Sequence, residues 1–212
     1  MTNGRMGDPA SSRTAVAPAS ALEDQLHDLH FRPVVPDDWR RLQRFHDRLS
    51  QQTVQLRFHG AKQHLSEPLA HRFTQVDGRA NVAWVATTGT HGRIVGVARY
   101  FRIEQSCAEV AFVIEDQYQH HGVGRRLMRR LARTARENGI TQFIAEVMPG
   151  NQAMLHLLQE AGAVDARLKN GVYEVHVTLS EMQECADGTS SSSDIHRPVR
   201  KGEPHETGPC PT

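Results

Sequence analysis

The 212-residue sequence predicts an α/β fold: a mixed central sheet of about seven strands flanked by helices. Two observations carry this. Apolar runs of strand length alternate with amphipathic stretches in the order strand, helices, three strands, helix, strand, helix, two strands. Turn signals at Gly89-Thr-His-Gly92 and Asn170-Gly171 join neighbouring runs as hairpins.

Leu29–Val34 reads as the first strand, closed by Pro36. Asp37 or Asp38 then caps a helix that carries Trp39, Leu42, Phe45 and Leu49 at helical spacing. Thr53–Phe58 forms a second short helix, and Ser66-Glu-Pro68 starts a third through Leu69 and Phe73. Strands follow at Asn81–Thr87, Arg93–Phe101 and Cys107–Ile114. The clearest helix covers 122–138: Leu127, Met128, Leu131, Ala132 and Ala135 make one stripe, and six arginines fall mainly off it. Asn138-Gly139 ends it. A strand (Gln142–Val147), a helix (Gln152–Ala161, stopped by Gly162) and strands Val164–Leu168 and Val172–Leu179 complete the chain.

Residues 1–20 and 181–212 are rich in Ala, Ser, Pro and Gly, with too little apolar area to offset ordering entropy. The expected organisation is a disordered tail over 1–25, one domain over 26–180 and a second disordered tail over 181–212. Three cysteines without paired spacing indicate a reducing, cytoplasmic setting. No signal peptide and no membrane-spanning stretch are expected. A formal net charge of +1 gives no case for nucleic acid as partner. Thirteen histidines include His59, His64 and His71, but these match no ligand spacing, so no metal is expected.

The chemistry concentrates between Glu109 and Met128. A buried-type strand leads through a polar loop into Gln119-His120-His121-Gly122-Val123-Gly124-Arg125 at the start of a helix. Backbone N–H groups at a helix N-terminus converge on one point, where the macrodipole favours an anion. Gly122 and Gly124 lack a Cβ, so a diphosphate approaches the backbone closely. A dinucleotide fold is disfavoured because Leu127 stands where its third glycine belongs and the loop follows a hairpin. No Gly-Lys-Ser/Thr triplet exists for a nucleoside triphosphate.

On these residues, block 93–163 resembles the acetyl-CoA-binding core of GNAT N-acetyltransferases. The resemblance implies that the 119–125 loop holds the CoA pyrophosphate, that Phe112, Val113 and Ile114 offer backbone groups to pantetheine, and that Asn151 lies near the same arm. It also implies a main-chain N–H near Val113 that polarises the thioester carbonyl. Leu158 stands where many members carry a tyrosine acid, and Gly162-Ala163 replaces a common Gly-Phe. A narrower resemblance covers about 30–179. Ser50-x-x-Thr53-x-x-x-Arg57-Phe58, Leu65-Ser66, Asp77 and Ala108–Phe112 are similar to bacterial protein lysine acetyltransferases of the Pat type. Those enzymes modify a lysine of acyl-CoA synthetases, and some carry a fused cyclic-nucleotide-binding or synthetase domain. The resemblance here covers no such domain, so regulation of that kind is not expected.

In that comparison Glu109 is the catalytic base. Its strand is apolar on both faces, which predicts a desolvated carboxylate with a raised pKa. The alternative is that Glu109 meets solvent or an arginine near the strand start, with Glu146 as the fallback base. Arg125 and Arg126, at the first turn of a face otherwise read as solvated, are candidates to reach CoA phosphates. Arg57-Phe58 is a candidate to shape the acceptor site, with Phe58 as plain core the alternative. The expected function is direct transfer from acetyl-CoA to a protein lysine by a monomer or homodimer. A small-molecule amine acetyltransferase and a non-catalytic acyl-CoA sensor are the alternatives.

Overall fold

A computed structural model describes residues 19–58, 64–89 and 92–179. Of the tails expected over 1–25 and 181–212, residues 1–18 and all of the second lie outside the described residues, as do His59 and, in the first hairpin link, Thr90 and His91. Seven strands form one sheet in the order β1-β2-β3-β4-β5-β7-β6. They are β1 (Leu29–Pro33), β2 (Asn81–Thr88), β3 (Ile94–Glu104), β4 (Cys107–Ile114), β5 (Gln142–Val147), β6 (Gly162–Lys169) and β7 (Val172–Leu179). β4 and β5 are parallel and every other pair is antiparallel, giving the mixed sheet the element order predicts.

The helices are α1 (Ala19–His27), α2 (Trp39–Arg48), α3 (Gln51–Phe58), α4 (Glu67–Thr74), α5 (Val123–Glu137) and α6 (Gln152–Gln159). α1 corrects the expected tail over 1–25. Leu22 and Leu26, one helical turn apart, pack against the larger core, and the Tyr118 hydroxyl donates to the Gln25 side chain. Composition averaged over the whole N-terminus hides that local edge. α6 also ends two residues early, because Gly162 pairs with Leu179 as the first residue of β6.

Two apolar cores result. The larger lies between the sheet and α5, where Val123, Leu127, Met128, Leu131, Ala132 and Ala135 are all buried. Burying one such Leu or Met is worth about 1.5–3 kcal/mol. The smaller sits under α2 and α4, with Leu42, Phe45, Leu49, Ala70, Val85 and Ile94. Gly96 on β3 lets α5 come close: a Cβ there would stand 2.9 Å from Ile114 Cδ1 and 3.2 Å from Leu127 Cδ1. At the far end of the sheet, Asn170 (φ 52°) and Gly171 (φ 82°) form the tight β6–β7 turn.

Asp38 does not cap α2 with its side chain. It is fully buried, receives Arg32 through two bonds at 2.6 and 2.8 Å, and accepts from Arg41 at 3.0 Å and the Val35 N–H at 3.0 Å. Burial works to raise its pKa, but the Arg32 hydrogen bond leads a set of bonds and charges that hold it below the ordinary carboxylate value. An unfolded Asp titrates near about 3.9. The cluster's stabilisation is therefore complete above that pH and is lost as pH falls through the lower, folded value. Asp38→Ala, which leaves Arg32 without its carboxylate, should cost about 3–5 kcal/mol in urea unfolding at pH 7. The difference from wild type should shrink at strongly acid pH; a difference independent of pH would contradict this account.

Candidate functional site

The site exists because β4 and β5 part. Their register comprises Cys107↔Gln142, Ala108↔Phe143 and Glu109↔Ile144, while β4 continues to Ile114 and β5 to Val147. Beyond Glu109, therefore, β4 borders an open cleft of about 760 Å³. One wall is β4 from Val110 to Ile114, and another is the start of α6. The loop leading into α5 closes the end.

That loop has the backbone form the glycines suggest. His120 (φ 62°) and Gly122 (φ 75°) both adopt left-handed conformations, and Gly122 is the N-cap of α5. Two positive φ values so close together turn the chain tightly into the helix. A Cβ on Gly122 would meet nothing within 4 Å, so the glycine serves backbone conformation and open approach. At Gly124 a Cβ would make ordinary contacts with Leu157 at 3.5 Å.

A clasp from α3 fixes the loop. Ser50 caps α3, its hydroxyl accepting from the Thr53 N–H at 3.1 Å. The Ser50 N–H and the Ser50 and Thr53 hydroxyls all donate to Asp116. Burial pushes the Asp116 pKa up, but these bonds, led by the Ser50 hydroxyl, bring it below the ordinary value. Gln119 Nε2 donates to Thr53 Oγ1 at 3.1 Å and to the Ile114 carbonyl at 3.0 Å, so this side chain braces the loop. One residue before the clasp, buried Glu115 pairs with Arg48 at 3.0 Å and Arg93 at 3.6 Å. The spacing Ser50-x-x-Thr53 is the sequence trace of the clasp; its partner, Asp116, was not identifiable from sequence.

Most residues expected at the site border this cleft: Glu109, Phe112, Val113, Ile114, Gln119, His120, Gly122, Gly124, Arg125 and Asn151. Phe112 is buried in the larger core, Ile114 packs against it, and Val113 packs against the smaller one. Val123 and His121 are not among the residues that line the cleft: the Val123 side chain is buried at the start of α5 and His121 is exposed, which leaves their expected backbone role in the loop untouched. Arg125 pairs with Glu160 at 2.9 Å across the α5–α6 junction. Asn151 caps α6, its Oδ1 accepting from the Met154 N–H at 3.1 Å. Leu158 is fully buried, on the core side of α6.

The expected desolvation of Glu109 is overturned: the residue is exposed. Apolar neighbours in sequence do not bury it, because the sheet opens at its own register position. Arg57 of α3 lies close enough for their charges to interact; burial lowers the Arg57 pKa and the Glu109 charge opposes that. Glu146 borders the same cleft from β5. The Phe58 side chain lies outside the described residues.

The acetyltransferase (GNAT) family model matches residues 42–163. Acetyltransferase Pat of Mycolicibacterium smegmatis is 33% identical over 152 residues, 71% of this chain but 45% of that protein. The chain thus matches less than half of that relative's length. An acetyltransferase of Pseudomonas aeruginosa is 34% identical over 150 residues, 69% of this chain and 80% of that protein. The crystal structure of the GNAT domain of S. lividans PAT superposes with a TM-score of 0.65 at 33% identity, covering 71% of this chain and 90% of that one. With its parted parallel strands and its glycine loop, the chain belongs to the GNAT acetyltransferase family.

Proposed function

We propose that the chain is an acetyl-CoA-dependent N-acetyltransferase acting on a protein lysine, with Glu109 as general base. The parting of β4 from β5 beside the glycine loop carries this reading. The free side of β4 at Phe112–Ile114 offers main-chain groups to the amides of pantetheine, as a missing strand would. The N-terminus of α5, from His120 to Arg125, receives the diphosphate. Bound this way, the thioester lies along β4 near Val113, on the approach to Glu109.

Lysine attacks only as the free amine, whose ammonium has a pKa of about 10.4. Glu109 takes the proton, directly or through a water, as the nitrogen adds to the thioester carbonyl. Its exposure leaves it hydrated, so its service as a base rests on position and not on a desolvated carboxylate. CoA then leaves as the C–S bond breaks, and no covalent enzyme intermediate is needed. Leu158, buried in the core, takes no part in protonating the thiolate. A lysine of an acyl-CoA synthetase is the acceptor we favour, on the similarity to Acetyltransferase Pat and the Ser50-x-x-Thr53-x-x-x-Arg57 segment. Labelled acetyl-CoA with purified acyl-CoA synthetase tests that choice, and label confined to small molecules would refute it.

Gly124→Ala should keep acetyl-CoA affinity within a few-fold, since its Cβ makes only ordinary contacts. Gly124→Glu should abolish binding, because it sets an anion in the diphosphate's path. Titration calorimetry on the folded variants checks both; undiminished binding by Gly124→Glu would refute the loop's role. Glu109→Gln should leave acetyl-CoA affinity nearly unchanged while kcat drops about 10²–10⁴-fold. The deficit should narrow at high pH, where more acceptor is already free amine. Wild-type turnover at neutral pH in that variant would shift the role to Glu146.

A further inference from the structure

Behind the cleft lies a second cavity of about 50 Å³, on the sheet face covered by α2 and α4. Its walls are largely apolar, with Leu42, Phe45, Leu65, Phe73 and Val97 among them. Arg57 and Arg99 line it as well, and among the described residues no carboxylate does. Arg57, Ala111 and Val113 border both the cavity and the cleft, so the two spaces share a wall at the stretch of β4 assigned to the thioester.

Register places Arg99 opposite Ala111, between Val113 and Glu109 on the same sheet face. Residues two apart on a strand lie roughly 7 Å apart. Arg99 Nη2 donates to the Phe73 carbonyl at 3.3 Å and to Asn81 Oδ1 at 3.4 Å, both long bonds to neutral oxygens. Its guanidinium also lies 4.6 Å from the centre of the Phe73 ring. Burial chiefly, and the Arg57 charge next, push the Arg99 pKa down to about 10. A guanidinium held by neutral oxygens in an apolar compartment, as that of Arg99 is, is costly until an anion joins it, whereas Arg57 already has the Glu109 charge nearby.

We propose that this cavity is an acyl-chain subsite for short acyl groups ending in a carboxylate, which Arg57 and Arg99 hold. The proposal rests on the acyl-CoA reading above. A water needs about 10–15 Å³ of such space, so the cavity takes about four non-hydrogen atoms. That is the size of the –CH2–COO⁻ by which succinyl exceeds acetyl. Guanidinium groups bind a carboxylate through strong, charge-assisted hydrogen bonds. The transfer step keeps its form. The amine nitrogen bonds to the thioester carbon and the C–S bond breaks. The amine's proton passes through Glu109 to the CoA thiolate, leaving a succinylated amine and free CoA.

Titration calorimetry of the full chain with CoA, acetyl-CoA, propionyl-CoA and succinyl-CoA tests this. Succinyl-CoA should bind at least about tenfold more tightly than propionyl-CoA. Arg99→Met should erase that advantage while CoA affinity stays within about twofold. Ala83→Val fills the cavity from β2 without altering either arginine, and should weaken succinyl-CoA selectively. Equal affinity for acetyl- and succinyl-CoA, or an equal loss for all four ligands in Arg99→Met, would overturn the subsite alone. Failure of CoA itself to bind would overturn the acyl-CoA reading and the subsite with it.

Discussion

The pairing of β4 with β5 ends at Glu109↔Ile144, and the site depends on that limit. Backbone amides are obligatory hydrogen-bonding groups, so a strand that leaves its neighbour must find other partners. Here the separated stretch faces a cleft wide enough for an extended ligand with amides of its own. The helix linking the two strands, α5, begins at the end of the same cleft. One topological feature therefore supplies both a strand-like edge and a helix N-terminus.

Holding the cleft open takes anchoring on both sides. On the β4 side, Glu115 is tied to Arg48 and Arg93, and Asp116 is tied to Ser50 and Thr53. Both anchors join the 115–119 segment to α2 and to the start of α3. Beneath the loop, Gly96 admits the Ile114 and Leu127 side chains, setting how deeply α5 sits on the sheet. On the opposite side, the Asn151 cap defines where α6 begins. Ser50, Thr53 and Gln119 thus set the geometry of the loop at the end of the cleft.

Electrostatics divides along the sheet. Asp38 and Glu115 are buried carboxylates met by arginines, an arrangement that offsets the cost of desolvation. Burial lowers the pKa of Arg57 and Arg99, an effect that the Glu109 charge opposes at Arg57 and the Arg57 charge reinforces at Arg99. The arginines of α5 are less simply solvated than their spacing implies. Arg126 and Arg130 lie 4.2 and 4.6 Å from the centre of the Phe31 ring, and Arg125 bridges to Glu160.

Local rules in the sequence determined the element order, the α5 stripe, the Asn170-Gly171 turn and the glycine loop. Each depends on residues a few positions apart: a 3.6-residue period, a left-handed φ, a helix start. The Ser50–Thr53 pair was visible as a motif, but its meaning waited on Asp116, 66 residues from Ser50 in sequence. Burial of individual side chains was decided only by tertiary structure. Glu109 sits among apolar neighbours yet is exposed, because strands that part uncover positions an alternating pattern assigns to the core. Val123, buried, and Leu22, partly buried, are the converse, since a helix face or a terminal turn is covered only when the sheet it meets is in place. The cavity shared by Arg57 and Arg99 is likewise tertiary: α3 and β3 bring together two arginines 42 positions apart, and no local pattern records that meeting.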